Sequence, residues 1–202
     1  MSLPPLRIAT YNIHKGMSPL NGQVRLPEIA HNLQALATDV LFLQEVQGRH
    51  SHRAARFGDW PTEAQHHYLA RHLQANATYG LNCAYESGHH GNAILSKYPI
   101  EQWRNIDVSD HRLEQRGVLH ATLDHPVLGE VHVVNSHFGL FKVSRVRQAY
   151  ALIRYVRCFV PPHAPLIIAG DFNDWNLHVH RILTRELLLQ DAIETIQRGR
   201  QP

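Results

Sequence analysis

Asp171, Asn173 and Asp174 follow a run of four apolar residues, Leu166 to Ala169, with Gly170 as the hinge between them. The apolar run suits a strand buried on both faces. Two carboxylates and an amide then stand at its C-terminal end, where a rigid strand fixes position while the loop stays open to a ligand. The arrangement recurs: Asn12, Glu45, Asn92, Arg116, Asn135 and His137 each stand at the end of a strand-like run. Brought to one edge, the set would hold the Glu45 and Asp171 carboxylates, one imidazole, one guanidinium and several amides. No serine or cysteine nucleophile accompanies a base, so the attacking group implied is water.

A hard divalent cation such as Mg²⁺ takes oxygen ligands and keeps several waters, and Glu45 with the Asn12 carbonyl oxygen would be a sufficient protein share. Asp171 could then orient and deprotonate a water while His137, Asn173 and Asn92 donate to phosphoryl oxygens as charge builds there. Each donor can supply roughly 3 kcal/mol to a transition state, so a phosphoester hydrolase needs several of them together with the metal.

Periodicity names the elements that must position these groups. Leu6 to Asn12 reads as a first strand. Leu26, Ile29, Ala30, Leu33 and Leu36 recur at helical spacing behind Pro27, and Asp39 to Val46 reads as a buried strand, so the three bracket a βαβ unit. Gly48 to Trp60 shows no period and reads as a surface loop. Thr62 opens a helix to about Ala75. Leu81 to Tyr85, Asn92 to Ser96, Ile100 to Val108, Gly117 to Leu123 and Glu130 to Asn135 are short strands divided by turns. A helix from Val143 to Phe159 leads into the strand before Asp171, and Leu183 to Ile196 is again helical in character. The pattern predicts an α+β fold, two packed sheets covered by helices.

A length of 202 residues, 44% of them hydrophobic, suits one domain over 1–202. The net charge of +3 and the 17 histidines make a mildly basic surface that favours phosphate-bearing partners only weakly. Cys83 and Cys158 lie far apart in apolar surroundings, which predicts buried thiols and no disulfide framework. The first residues show no leader, and no apolar run is long enough for a membrane span; the expected home is the cytoplasm and the expected state a monomer. His66-His67, His89-His90 and His178-x-His180 lack the companion spacing of a zinc site and read as solvated, with slightly more weight for His89 and His90 because they precede Asn92 beside the site. The basic residues of the helix, Lys142, Arg145, Arg147, Arg154 and Arg157, read as a solvated face, and Trp60, Trp103 and Trp175 as packing residues.

Thr10-Tyr11-Asn12-Ile13-His14, Leu43-Gln44-Glu45-Val46, Gly91-Asn92-Ala93-Ile94-Leu95-Ser96, Asn135-Ser136-His137-Phe138 and Gly170-Asp171-Phe172-Asn173 resemble, in order, the successive motifs of the endonuclease/exonuclease/phosphatase superfamily, which contains the DNase I-like nucleases. The resemblance implies a four-layer αββα sandwich of two mixed or antiparallel sheets and Mg²⁺- or Mn²⁺-dependent phosphoester hydrolysis. It implies metal-side roles for Asn12 and Glu45, phosphate contact for His137, water activation for Asp171 and phosphate orientation for Asn173. Asn92 and Arg116 match substrate-binding positions less closely. The wording of the first two motifs is nearer the sphingomyelinase-like and phosphatase-like branch, so a small or lipid-derived phosphodiester or phosphomonoester is slightly favoured over nucleic acid.

The resemblance departs at its end, because the family's closing Ser-Asp-His tripeptide has no counterpart after Asn173. The expectation is a C-terminally shortened chain whose second sheet is incomplete and whose activity is impaired. The alternative is a phosphate-binding protein without turnover. Ser109-Asp110-His111 does spell the tripeptide, but before Arg116 and among the hairpins, where it reads as a loop coincidence.

Overall fold

The computed structural model describes residues 5–18 and 22–198; the reading of the first residues as lacking a leader falls mostly outside them. Strand β1 (Ile8–Asn12) runs parallel to β2 (Val40–His50) through the crossover helix α1 (Leu26–Ala35), with Pro27 in its first turn, where a missing N–H goes unnoticed. Antiparallel pairing adds β4 (Gly88–Ser96) to β2 and β3 (Asn76–Tyr85) to β4, giving the order β1-β2-β4-β3. The second sheet has the order β5-β6-β7-β8. Its strands β5 (Ile100–Asp107), β6 (Gly117–His125) and β7 (Gly129–His137) are antiparallel, and β8 (Leu166–Asp171) returns parallel to β7 after helix α4 (Lys142–Phe159). Both sheets are therefore mixed, with four strands each among the described residues.

Strand β2 shows how the layers follow from a two-residue period. Leu41 and Leu43 face α1 and α3 (Gln65–Leu73) in a cluster with Leu26, Leu33 and Leu69, while Val40 and Phe42 point the other way, onto Leu119, Ala121, Val131 and Val133 of the second sheet. On the far side, Val118 and Val134 pack beneath Ala149, Leu152 and Ile153 of α4 and Val179 and Leu183 of α5 (His178–Leu187). The result is helix, sheet, sheet, helix, as the resemblance implied.

Several sequence expectations need correction. Strand β2 runs on to His50, and α2 (Ser51–Arg56) occupies much of the predicted loop, its Arg53 amide donating to the ring Nδ1 of His50. Periodicity fails there because the segment buries no face. The last predicted helix is two, α5 and α6 (Ala192–Arg198), broken where Leu188 turns left-handed at φ 53°. Cys158 is exposed and Cys83 half-buried, so neither is a core thiol. Trp175 is 91% exposed, which rules it out as a packing residue.

The sheets are joined by hydrogen bonds as well as by apolar contact. Asn135 of β7 is completely buried; its Nδ2 donates to the Leu43 and Ala93 carbonyls of the first sheet, each at 2.8 Å, and its Oδ1 accepts from Gln44 Nε2 at 2.7 Å. Losing those bonds leaves buried carbonyls without donors. Asn135→Ala should lower the free energy of unfolding in a urea titration by about 3 kcal/mol; a loss under about 0.5 kcal/mol would show that the joint contributes little.

Candidate active site

Three strand ends and a bulge within β2 meet at one edge of the sandwich. Asn12 closes β1 opposite Gln44 of β2, and His137 closes β7 opposite Asp171 of β8. Between Leu43 and Val46 the β2–β4 register breaks in a bulge, and Glu45 takes a left-handed conformation at φ 53°. A non-glycine residue is strained there, on the order of 1 kcal/mol or more, and the surroundings must hold it. Asn12 is part of that hold. Its Nδ2 donates to Glu45 Oε1 at 3.2 Å and to Asp171 Oδ2 at 3.1 Å, while its Oδ1 accepts from the His14 amide at 3.0 Å. One carboxamide thus touches both carboxylates, which lie 126 residues apart in sequence and in different sheets (171 − 45).

Asp171 has its second oxygen fixed by the Asn173 amide at 3.1 Å, a short side-chain turn. Gly170 precedes it at φ 152°, packed so that any side chain would strike the Ser136 carbonyl, so this position in the motif admits only glycine. Asn173 itself is left-handed at φ 49°, and its Nδ2 donates to the Phe138 carbonyl at 2.9 Å; Arg116 Nε donates to the same oxygen at 3.3 Å. The backbone just past His137 therefore holds two of the predicted phosphate-contacting side chains.

His137 is 6% exposed, and its Nε2 lies 3.7 Å from Asp171 Oδ2, too far for a hydrogen bond. Burial pushes its pKa down to about 4, the Arg116 charge adding to the effect and Asp171, Glu45 and Glu114 opposing it, so the imidazole is neutral at pH 7. Burial also works against the Glu45 carboxylate. There the Asn12 hydrogen bond and the charge of Lys15 prevail, holding the acid below its usual range, and the group is ionised.

Asn92 departs from expectation. It is completely buried and donates to the Gly117 carbonyl at 3.0 Å, so it ties β4 to β6 beside Arg116 and offers no accessible surface. A cavity of about 430 Å³ opens next to Glu45 and Arg116 and is lined also by Lys15, His90, His111 and Phe141. Sequence reasoning missed Lys15, whose ammonium lies 3.7 Å from Glu45 Oε2; the Gly16 loop directly after Asn12 was the available signal. His90 was read as solvated but is half-buried, and burial lowers its pKa to about 4. His66 is buried and stacks on Tyr79. In the Ser109-Asp110-His111 tripeptide, Asp110 fastens the loop to Ser144 and Arg147 of α4, and His111 stands on the cavity wall 3.7 Å from Glu114.

The donor set fits a hard cation. Glu45 and Asp171 offer carboxylate oxygens with an amide between them. Among the described residues no three His, Cys, Asp or Glu side chains gather into a metal cage. One or two carboxylates completed by water and phosphate is the ligation Mg²⁺ prefers.

The sequence profile of the Endonuclease/Exonuclease/phosphatase family matches residues 9–200. The chain belongs to that family. Phosphoester hydrolysis is the activity class that membership supports. Uncharacterized protein YbhP of Escherichia coli K12 is 37% identical over 195 residues, which is 96% of this chain and 76% of that protein. An endonuclease/exonuclease/phosphatase structure from Beutenbergia cavernae superposes with a TM-score of 0.64 at 28% identity, covering 83% of this chain and 47% of that one, so the chain spans about half the length of that relative. The structure of D. rerio TDP2 with a single-strand DNA product gives a TM-score of 0.64 at 21% identity over 88% of this chain and 64% of that one, a likeness of fold.

Acid should weaken the fold. Burial, the first cause in each case, lowers the pKa of His66, His90, His120 and His137 to about 4. In the unfolded chain each protonates near pH 6.5, so as pH falls the unfolded state takes up protons first. The stability these groups contribute is complete above about pH 6.5 and is lost between there and about pH 4. The melting temperature should drop steadily across that window, and a flat profile would contradict the buried neutral state.

Proposed function

We propose that this chain is a Mg²⁺- or Mn²⁺-dependent phosphoester hydrolase that uses water for in-line attack on phosphorus. The observation that carries the reading is the Asn12 carboxamide in contact with both Glu45 and Asp171, which puts two carboxylates within reach of one phosphoryl group. Glu45, with Asn12 beside it, would hold the cation, which when bound acts as a Lewis acid on a phosphoryl oxygen and offsets its charge.

The chain's own groups supply the rest. Asp171 orients the attacking water and takes its proton; both of its oxygens are already fixed, so little reorientation remains to be done. His137, neutral and buried, donates a ring N–H to a phosphoryl oxygen in a site of low dielectric, where such a bond is strong. Asn173 has a second amide hydrogen free of its bond to Phe138 and donates likewise. Arg116 pairs with Glu114 at 3.1 Å and borders the cavity that receives the non-reacting part of the substrate, and Asn92 supports it through Gly117.

The substrate class favoured is a small or lipid-derived phosphodiester or phosphomonoester over nucleic acid, on the motif wording and on a net charge of only +3, weak for tracking a polyanion. No described helix is long and apolar enough to cross a membrane. With bis(p-nitrophenyl) phosphate and Mg²⁺ or Mn²⁺, EDTA should abolish hydrolysis. Asp171→Asn should lower kcat by about a thousandfold, the size of a lost general base; a variant within about threefold of the unaltered chain would remove Asp171 from that role.

A further inference from the structure

Gln65 opens α3, twenty residues after Glu45 (65 − 45), and is 1% exposed. Both ends of its carboxamide are engaged with backbone. Oε1 accepts from the Gln47 amide at 2.9 Å, and Nε2 donates to the Lys15 carbonyl at 2.8 Å. Gln47 lies two residues past Glu45, where β2 recovers from its bulge. Lys15 belongs to the turn after β1, in which the His14 amide fixes Asn12 Oδ1. A single buried side chain therefore clamps the two backbone segments that carry Glu45 and Asn12.

Those segments need holding. His14, Lys15 and Glu45 are all left-handed, at φ 48°, 58° and 53°, and none is glycine. Such conformations persist only where surrounding bonds over-determine them. Gly16 fits against Gln65 so closely that a Cβ there would collide with Nε2, so turn and clamp are matched. Lys15 gains a second constraint from its ion pair with Glu45.

We propose that Gln65 is a positioning residue for the divalent-cation site. It fixes the bulge that presents Glu45 and the turn that orients Asn12 and Lys15, without itself reaching the cation. The proposal rests on the reading of Glu45 as the metal-side carboxylate. A purely structural Gln65 would satisfy the same two backbone groups, and its loss would weaken the fold but leave cation affinity where it was.

Direct Mn²⁺ binding, read from the electron paramagnetic resonance of the free ion, separates the two. Leu69→Ala serves as control, because Leu69 is completely buried on the same helix but takes no part in the clamp. Gln65→Met should weaken Mn²⁺ binding by about tenfold or more, the usual consequence of removing a group that orients a metal ligand. Leu69→Ala should lower the melting temperature at least as far yet keep the dissociation constant within about twofold. If Gln65→Met does not fold, Gly16→Ala, which displaces the clamp from the turn side, carries the same expectation. Unchanged Mn²⁺ affinity in the clamp variant, or an equal loss in Leu69→Ala, would overturn the proposal while the hydrolase reading stands. Failure of the unaltered chain to take up any Mn²⁺ would overturn both.

Discussion

The contact on which the site depends is the hydrogen-bonded bridge from Asn12 to Glu45 and Asp171. Two carboxylates close together repel, and each ionises freely only when something polarised toward it lies between. An amide N–H₂ group meets that need without a charge of its own. It also joins β1 and β2 of one sheet to β8 of the other, so the relative placement of the two sandwich halves is registered directly at the site. A cation there would reinforce the bridge rather than create it.

Beneath the bridge lies a layer of buried polar contacts. Gln44 lies between Thr10 and Asn135, and Asn135 reaches across to the Leu43 and Ala93 carbonyls. These residues stand one or two positions before the functional ones on their strands: Gln44 directly before Glu45, Asn135 two before His137. Apolar side chains could fill the same space, but they would not fix the angle at which the strands end. Directional bonds do that, and in a dry interior they are costly to leave half-made. The left-handed residues Glu45 and Asn173 are the complement of this rigidity, each turning the chain sharply where a regular strand would carry the side chain past the site.

The layers of the fold were legible because β2 carries an apolar run suited to burial on both faces and α1 carries helical spacing. The convergence of Asn12, Glu45, His137, Asp171 and Asn173 was legible only through motif order, since no single tetrapeptide says where its strand end will lie. What escaped the sequence was of two kinds. Lys15, His90 and His111 join the cavity through loops and hairpins whose paths depend on tertiary contacts, and Gln65 acts through backbone groups that carry no residue identity. Asn92 lies on the right strand, level with the Glu45 bulge but in the middle of β4, and faces between the sheets; a strand's two faces differ by one residue of register, and motif spelling does not report it.

The central claim is that Glu45 and Asp171 act as one unit through a shared phosphoryl centre. A double-mutant cycle on kcat/KM, built from Glu45→Gln, Asp171→Asn and their combination, tests it most directly. The account predicts strong non-additivity, with the double variant no slower than the slower single variant by more than about threefold. Fully additive losses, the two penalties multiplying, would mean that the carboxylates work independently, and the proposed site would not stand.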